Sequence, residues 1–494
     1  MKNRIIFILL TIILVVSIWL RFDGVFTGTF AFTYDVGRDM LALQQIEQTH
    51  KIPLIGFTTG AQGIFYGPWW YYIIFPAFVL SGGNPQGVAG FVALLGVLAV
   101  SIGFLIGKKI ENAYLGLFFA GVLAVATTVI STSNQIWNPN MAPIILMLII
   151  YLLVLIRNKP KHLSLLIFFY GLLSALMLDA EIIYGSLTFI ATIIFILIFL
   201  RDKFTIKTTG LFLLGVLIVL SPRILFEFRH QFLMTDNILH YLHSNTSAPH
   251  GTDYFSLLIN RVQVFFKLWI DTIAGGNVSI GVVFSIVWLW GMVTLFRKKT
   301  NQMRYIAWYC IISIGTFIIG LTLLHNSLFG YYFVGMPLVY VCLFSIGIWN
   351  AVYLLPKYFN IVIPCLIIIY LFNPIQRIQQ WHQPPWVGDA SVYRNQLKVI
   401  DYTYKQANKK PFKYVVYTPP VHDYPYQYLY SWYGPMKYHY APSIQANLAF
   451  FILEPDLQYP SREKTWLQQR SKDGVIKKSI VLPSGITIQT REPK

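Results

Sequence analysis

Charge is what this chain has least of. Only 12% of its 494 residues are Asp, Glu, Lys or Arg, whereas an ordinary soluble domain carries roughly a quarter. With 56% hydrophobic residues and a mean hydropathy of +0.57, the composition excludes a soluble globular protein and reads as an integral membrane protein. Cysteine is also scarce. Cys310, Cys342 and Cys365 all lie within apolar runs, which excludes a disulfide framework and any metal-binding spacing and leaves the redox compartment unread. Internal repeats and low-complexity segments are absent too, and no nucleic-acid partner is expected.

What is present is a series of charge-free apolar runs that ends near residue 375, followed by a polar tail of 120 residues. The expected division is a polytopic membrane domain over 1–374 and a small C-terminal domain over 375–494. Residues 5–20 are long for a signal-peptide core and no small-residue cleavage site follows, so they are expected as a retained first helix. Short connectors rich in Lys and Arg punctuate the runs, holding 15 basic residues against Glu111 and Asp202 alone, while the alternate connectors hold 7 basic and 10 acidic. The positive-inside rule makes the first set cytoplasmic. Residues 67–80, GPWWYYIIFPAFVL, are too short to span comfortably when about 20 apolar residues are needed, and their Trp and Tyr suit an interfacial or re-entrant helix. Eleven spans result: 5–21, 86–107, 112–130, 141–156, 163–178, 183–200, 209–226, 279–296, 304–323, 331–350 and 359–374. The N-terminus is then inside and the tail outside, with outer loops at about 22–85 and 227–278. Localisation is the cell membrane, with membrane lipids as surroundings.

In that topology the polar residues gather on the outer side. TYDVGRDM (33–40) brings Asp35, Arg38 and Asp39; Trp137, Asn138, Asp179, Glu181, Arg223, Glu227, Arg229 and His230 lie there as well. Asp179 and Glu181 interrupt a stretch, 163–200, that is otherwise free of charge. Ionisable groups at membrane depth usually face a cavity, though the same pair also reads as the turn of a helical hairpin. Arg223, inside an apolar run, requires a partner. YDVGRDMLALQQIEQ reads as an amphipathic helix with Val36, Met40, Leu43 and Ile46 on its membrane side, and GFTTGAQGIFYGP as a flexible linker.

These residues resemble the GT-C superfamily of polyprenyl-phosphate-sugar-dependent glycosyltransferases, in particular the protein O-mannosyltransferase and aminoarabinose transferase group. The resemblance rests on Y-D-V-G-R-D at 34–39, Y-G-P-W-W-Y-Y at 66–72, W-N-P at 137–139 and S-P-R-I-L-F-E-F-R-H at 221–230, and covers residues 1–235. It implies a GT-C-like fold and Asp35 as the residue that activates the acceptor. It also implies that Arg38 meets the donor phosphate, with further donor-phosphate contacts from Arg223, Arg229 or His230. The family's usual Asp-Glu pair is Asp35-Val36 here, and Tyr66 stands where relatives often place Lys or His. Asp39 has no family role and is expected to orient Arg38.

The chemistry suits such a reaction independently. An acceptor hydroxyl needs a base, and one carboxylate suffices for a single inverting displacement. The leaving lipid phosphate needs cations rather than an acid. Hydrolysis with two carboxylates is compatible with the count of Asp35 and Asp39 but disfavoured by the scaffold. No cofactor and no essential metal are expected. The implied partners are a polyprenyl-phosphate sugar donor and an acceptor glycan, lipid or protein. Two other classes remain: a membrane transporter of a lipid or sugar, which would place ionisable groups near the midplane, and a non-catalytic cell-envelope assembly or sensor protein. The tail reads as a small α/β domain: a helix over 390–408, strands at FKYVVYT and IQANLAFFIL, and a terminal hairpin around Pro-Ser-Gly. Its segment YPYQYLYSWYGPMKYHY suits either sugar stacking or a core.

Overall fold

The computed structural model describes residues 2–158, 161–244, 253–297, 301–324, 328–356, 358–373, 388–419 and 422–493. Among them, nine helices are long and apolar enough to cross a membrane: Asn3–Thr27, Pro85–Ile110, Asn138–Arg157, Leu163–Ala180, Ile182–Lys203, Ile206–Arg229, Val278–Arg297, Gln302–Leu323 and Gly330–Val352. The protein is a multi-pass membrane protein. Two further expected spans are present as shorter apolar helices, Ala113–Val125 and Phe359–Phe372. The first is cut short where Ala126 turns extended, and a five-residue helix, Thr127–Ser131, continues the path. A helix end leaves carbonyls without partners; here the buried guanidinium of Arg21 supplies them, Nη1 donating to Ala124 O at 3.1 Å and Nη2 to Leu123 O at 3.0 Å. Charge from the first span thus stabilises a break in another.

The aromatic segment forms a 12-residue helix, Trp69–Leu80, which at 1.5 Å per residue is about 18 Å long and falls short of a ~30 Å hydrocarbon core. Its rings do not simply line a membrane surface. Trp70 and Tyr71 are buried, because their polar atoms have partners inside the protein. The expected loop over 227–278 holds two helices, Leu233–Ser244 and Tyr254–Ala274. The second packs Trp269 edge-on against Tyr340 at 5.3 Å and was invisible to hydropathy because Arg261, Lys267 and Asp271 dilute it.

The expected boundary at 374/375 lies outside the described residues. Beyond it, helices Tyr393–Ala407, Tyr424–Tyr438 and Pro460–Gln469 accompany a four-stranded mixed sheet. Strands β1 (Phe412–Tyr417), β2 (Leu448–Leu453), β3 (Val475–Val481) and β4 (Thr487–Glu492) are ordered β1-β2-β4-β3. β1 and β2 are parallel, and β3 and β4 form the terminal antiparallel hairpin. In the Tyr-rich helix Tyr426, Tyr428, Leu429 and Tyr430 are buried, so that face is core.

This region is fastened to the first loop. Ala31 and Val392 form an antiparallel bridge, with Phe32 N donating to Ser391 O at 2.7 Å and Tyr393 N to Phe30 O at 3.1 Å. Trp432 Nε1 donates to Gly82 O at 2.7 Å, and Tyr428 donates to Gly83 O.

Candidate active site at the start of the first loop helix

The loop helix Tyr34–Thr49 begins with Asp35 in its first turn, where the helix dipole favours a carboxylate. Arg38 lies one turn on. Its Nη1 donates to Asp35 Oδ1 at 2.7 Å, while Nε and Nη2 donate to Asp39 Oδ1 at 3.0 and 2.9 Å. Three of its five N–H groups are thereby used, leaving two. The guanidinium also lies 3.6 Å from the centre of the Phe57 ring. Asp39 is fully buried and accepts Trp70 Nε1–H at 2.8 Å on its other oxygen. A charge buried so completely is sustained only by such partners. Asp35 differs: its side chain retains 21% exposure and lines a cavity of about 310 Å³.

Burial raises the Asp35 pKa above its ordinary value, partly offset by Arg38. Burial raises Asp39 as well, again against Arg38 and the Trp70 hydrogen bond. Desolvation lowers Arg38, but Asp39 and then Asp35 outweigh it and raise it overall, so it stays charged.

The apolar side of this helix is not at a membrane surface. Val36, Met40 and Leu43 are buried within the protein, beneath elements that the first loop and the C-terminal region bring over them. Nor is GFTTGAQGIFYGP a flexible linker. It closes as a small hairpin, Gly56 N to Tyr66 O at 2.7 Å, Tyr66 N to Phe57 O at 3.0 Å and Thr59 N to Ile64 O at 2.8 Å. The hairpin sets Phe57 under Arg38 and Tyr66 against Phe57, ring centres 4.6 Å apart. Tyr66 in turn lies within electrostatic reach of Glu181, which caps helix Ile182–Phe195 by accepting Tyr184 N–H.

Arg223 finds its partner in Asp179, with which it forms an ion pair. The second oxygen of Asp179 accepts Trp69 N–H at 3.2 Å, so this pair anchors the start of the aromatic helix. Gly67 is required there: a Cβ would fall 2.0 Å from Asp179 Oδ2. Arg223 keeps a buried Nε without a hydrogen bond. Asn138, buried, donates Nδ2–H to Ala180 O at 2.6 Å. Glu227 accepts the backbone N–H groups of Met234 and Thr235, both at 2.9 Å, and so caps the following helix. His230 sits 2.8 Å from Phe226 O through Nδ1 and stacks on the Phe226 ring at 4.0 Å. Arg229 is exposed. Of the residues expected at the site, Asp35 and Trp137 line the cavity; Arg38, Asp39, Tyr66, Asn138, Asp179, Glu181, Arg223, Glu227, Arg229 and His230 do not. Among the described residues no three His, Cys, Asp or Glu side chains come together as a metal site.

Other groups escaped the sequence. Tyr331, from G-Y-Y-F at 330–333, packs edge-on against Trp137 at 5.5 Å and lies within electrostatic reach of Glu181, Tyr34 and Asp35. An aromatic cluster opening a span was the available signal. The far wall of the cavity, Ser391, Gln396, Thr418, His422 and Glu454, carried none.

The architecture matches solved structures. ArnT from Cupriavidus metallidurans bound to undecaprenyl phosphate superposes with a TM-score of 0.61 over 99% of this chain and 98% of its own, at 11% identity. Its apo form gives 0.60 at 10% identity over the same shares. The chain has the fold of ArnT. AglB from Archaeoglobus fulgidus, in complex with an inhibitory peptide and a dolichol-phosphate, aligns at a TM-score of 0.45 and 13% identity over 99% of this chain and 74% of its own. No family model and no curated protein matches the sequence.

Proposed function

We propose that this chain is a membrane glycosyltransferase that moves a sugar from a polyprenyl-phosphate donor to an acceptor hydroxyl at the outer face of the cytoplasmic membrane, with inversion. The observation that carries this reading is Asp35: a partly exposed carboxylate in a helix's first turn, braced by Arg38 and open to a cavity at one end of an apolar bundle. The lipid-phosphate class is carried over from ArnT, which has the same fold and binds undecaprenyl phosphate.

Asp35 accepts the acceptor's proton as its oxygen attacks the anomeric carbon, and the bond from that carbon to the phosphate oxygen breaks. Raised basicity helps, provided the group is still ionised at working pH. Arg38 holds the departing phosphate through its two remaining N–H groups, and Asp39, out of reach of substrate, holds Arg38. Arg223, with its unpaired Nε, and Arg229 and His230 supply further donor-side contacts. The proposed division remains 1–374 for the membrane part and 375–494 for an extracytoplasmic domain, with the N-terminus cytoplasmic.

The test is to supply membranes containing the chain with a panel of labelled polyprenyl-phosphate sugars and follow which label moves. Asp35→Asn should abolish transfer while the donor still binds, and the product should have the inverted anomeric configuration. A fully active Asp35→Asn variant, or a retained configuration, would overturn the assignment.

A further inference from the structure

The cavity at Asp35 has two walls of different origin. One is the first loop and the W-N-P segment: Thr33, Tyr34, Asp35, Gln135 and Trp137. The other comes from the C-terminal region. There Gln396, 2% exposed, lines the cavity, and its buried Oε1 accepts no hydrogen bond within the protein. Its Nε2 donates to Glu454 Oε1 at 3.4 Å, and the same oxygen accepts Tyr426 O–H at 2.8 Å. A buried amide with an open acceptor carries a desolvation penalty unless something fills the position. Exchanging the amide's oxygen and nitrogen would leave an open donor instead, so the vacancy does not depend on that choice.

We propose that Gln396, with Glu454 behind it, is the acceptor-positioning wall of this site, and that it holds an uncharged, hydroxyl-rich group such as a sugar ring opposite Asp35. The proposal rests on the transferase reading only in naming that group the acceptor. Three features select the ligand. No Lys or Arg lines the cavity while two carboxylates, Asp35 and Glu454, do, which disfavours a phosphorylated or carboxylated group. Tyr34, Trp137 and His422 offer flat faces of the kind on which sugar rings stack. The amide and carboxylate offer paired hydrogen-bonding atoms for vicinal hydroxyls. Burial raises Glu454 to about 7, so near neutrality it is present in both forms and can donate or accept.

The experiment uses the full chain in nanodiscs and saturation-transfer NMR with the methyl glycosides of glucose, mannose, galactose and N-acetylglucosamine, against sn-glycerol 3-phosphate. At least one glycoside should bind the native chain. Gln396→Met, close to isosteric, should weaken it about tenfold, the loss of one hydrogen bond. Gln135→Ala, on the exposed rim of the opposite wall, should weaken it by a smaller factor and carries little risk to folding. Unchanged binding in Gln396→Met, binding of glycerol phosphate in preference to every glycoside, or no glycoside binding at all would overturn the proposal. Glycoside binding lost in Gln396→Met in a chain that transfers no labelled sugar would leave this site standing and remove the transferase reading. Sugar transfer with glycoside binding indifferent to Gln396 would do the reverse.

Discussion

Gly37, in the middle of Y-D-V-G-R-D, occupies a helix interior, where glycine is ordinarily about 1 kcal/mol less favourable than alanine. Propensity alone therefore predicts that Gly37→Ala stabilises the protein. The structure predicts the opposite. A Cβ at this position would lie 2.3 Å from Pro425 N, 2.5 Å from Tyr424 C and 2.7 Å from Pro425 Cα, all backbone atoms. Ordinary contact begins near 3.4 Å, so the helix Tyr424–Tyr438 must retreat by about 1 Å, and no side-chain rotation can relieve it. Overpacking of this kind costs roughly 1–3 kcal/mol, which meets or exceeds the propensity gain and leaves a net loss of up to about 2 kcal/mol. The same retreat widens the cavity beside Asp35, and a 1 Å misplacement can cost on the order of a hundredfold in rate. The variant should melt below the native protein in detergent and lose transfer activity by more than its melting shift accounts for. Gly60→Ala, where nothing lies within 4 Å of the added carbon, is the control and should change neither. A Gly37→Ala protein that melts at or above the native temperature with full activity would refute the packing argument.

Arg38→Ala should weaken donor use more than acceptor use, by ~1.5–3 kcal/mol for a lost charge-assisted contact; unchanged donor KM and rate would remove Arg38 from the phosphate. Because a base works only when ionised and burial raises the pKa of Asp35, transfer should rise with pH through a midpoint above the ordinary Asp value of 3.8. A pH–rate profile with its acid limb at or below that value would contradict the buried environment. For orientation, Lys161→Cys should resist an impermeant thiol reagent applied outside, while Lys51→Cys and Arg462→Cys should react; the reverse pattern would invert the proposed topology.

The parts legible in the sequence were those whose cause is local. Asp35 and Arg38 stand one helical turn apart, so their contact follows from i,i+3 geometry once the segment is helical, whereas helix geometry alone does not bring the adjacent Arg38 and Asp39 together. The requirement that Arg223 find an anion was equally plain from the cost of a charge in an apolar run. Its partner Asp179 is 44 residues away, and nothing local distinguishes it from Glu181 or Glu227. Hydropathy finds apolar runs but not their interruptions: the break at Ala126 depends on Arg21, about a hundred residues earlier. Gln396 was unreadable for a different reason. An uncharged amide in a polar tail carries no signal until folding deprives it of water.

The first loop is built of two helices, Tyr34–Thr49 and Trp69–Leu80, with a small hairpin between them, and its start is braced from several sides. Three separate elements hold the turn around Asp35: Trp70 through Asp39, Phe57 through the face of Arg38, and Tyr424–Pro425 through backbone contact at Gly37. Each acts on a different residue of a five-residue stretch, so displacing one leaves the carboxylate constrained by the other two. The base role proposed for Asp35 would benefit from such redundancy, because reorganisation is then completed on folding rather than in the transition state. The three braces come from two short, aromatic-rich loop elements and from the C-terminal region, not from the spanning helices. In the proposed mechanism the bundle therefore sets where the reaction takes place relative to the lipid, while the chain outside it sets the geometry of the reacting groups.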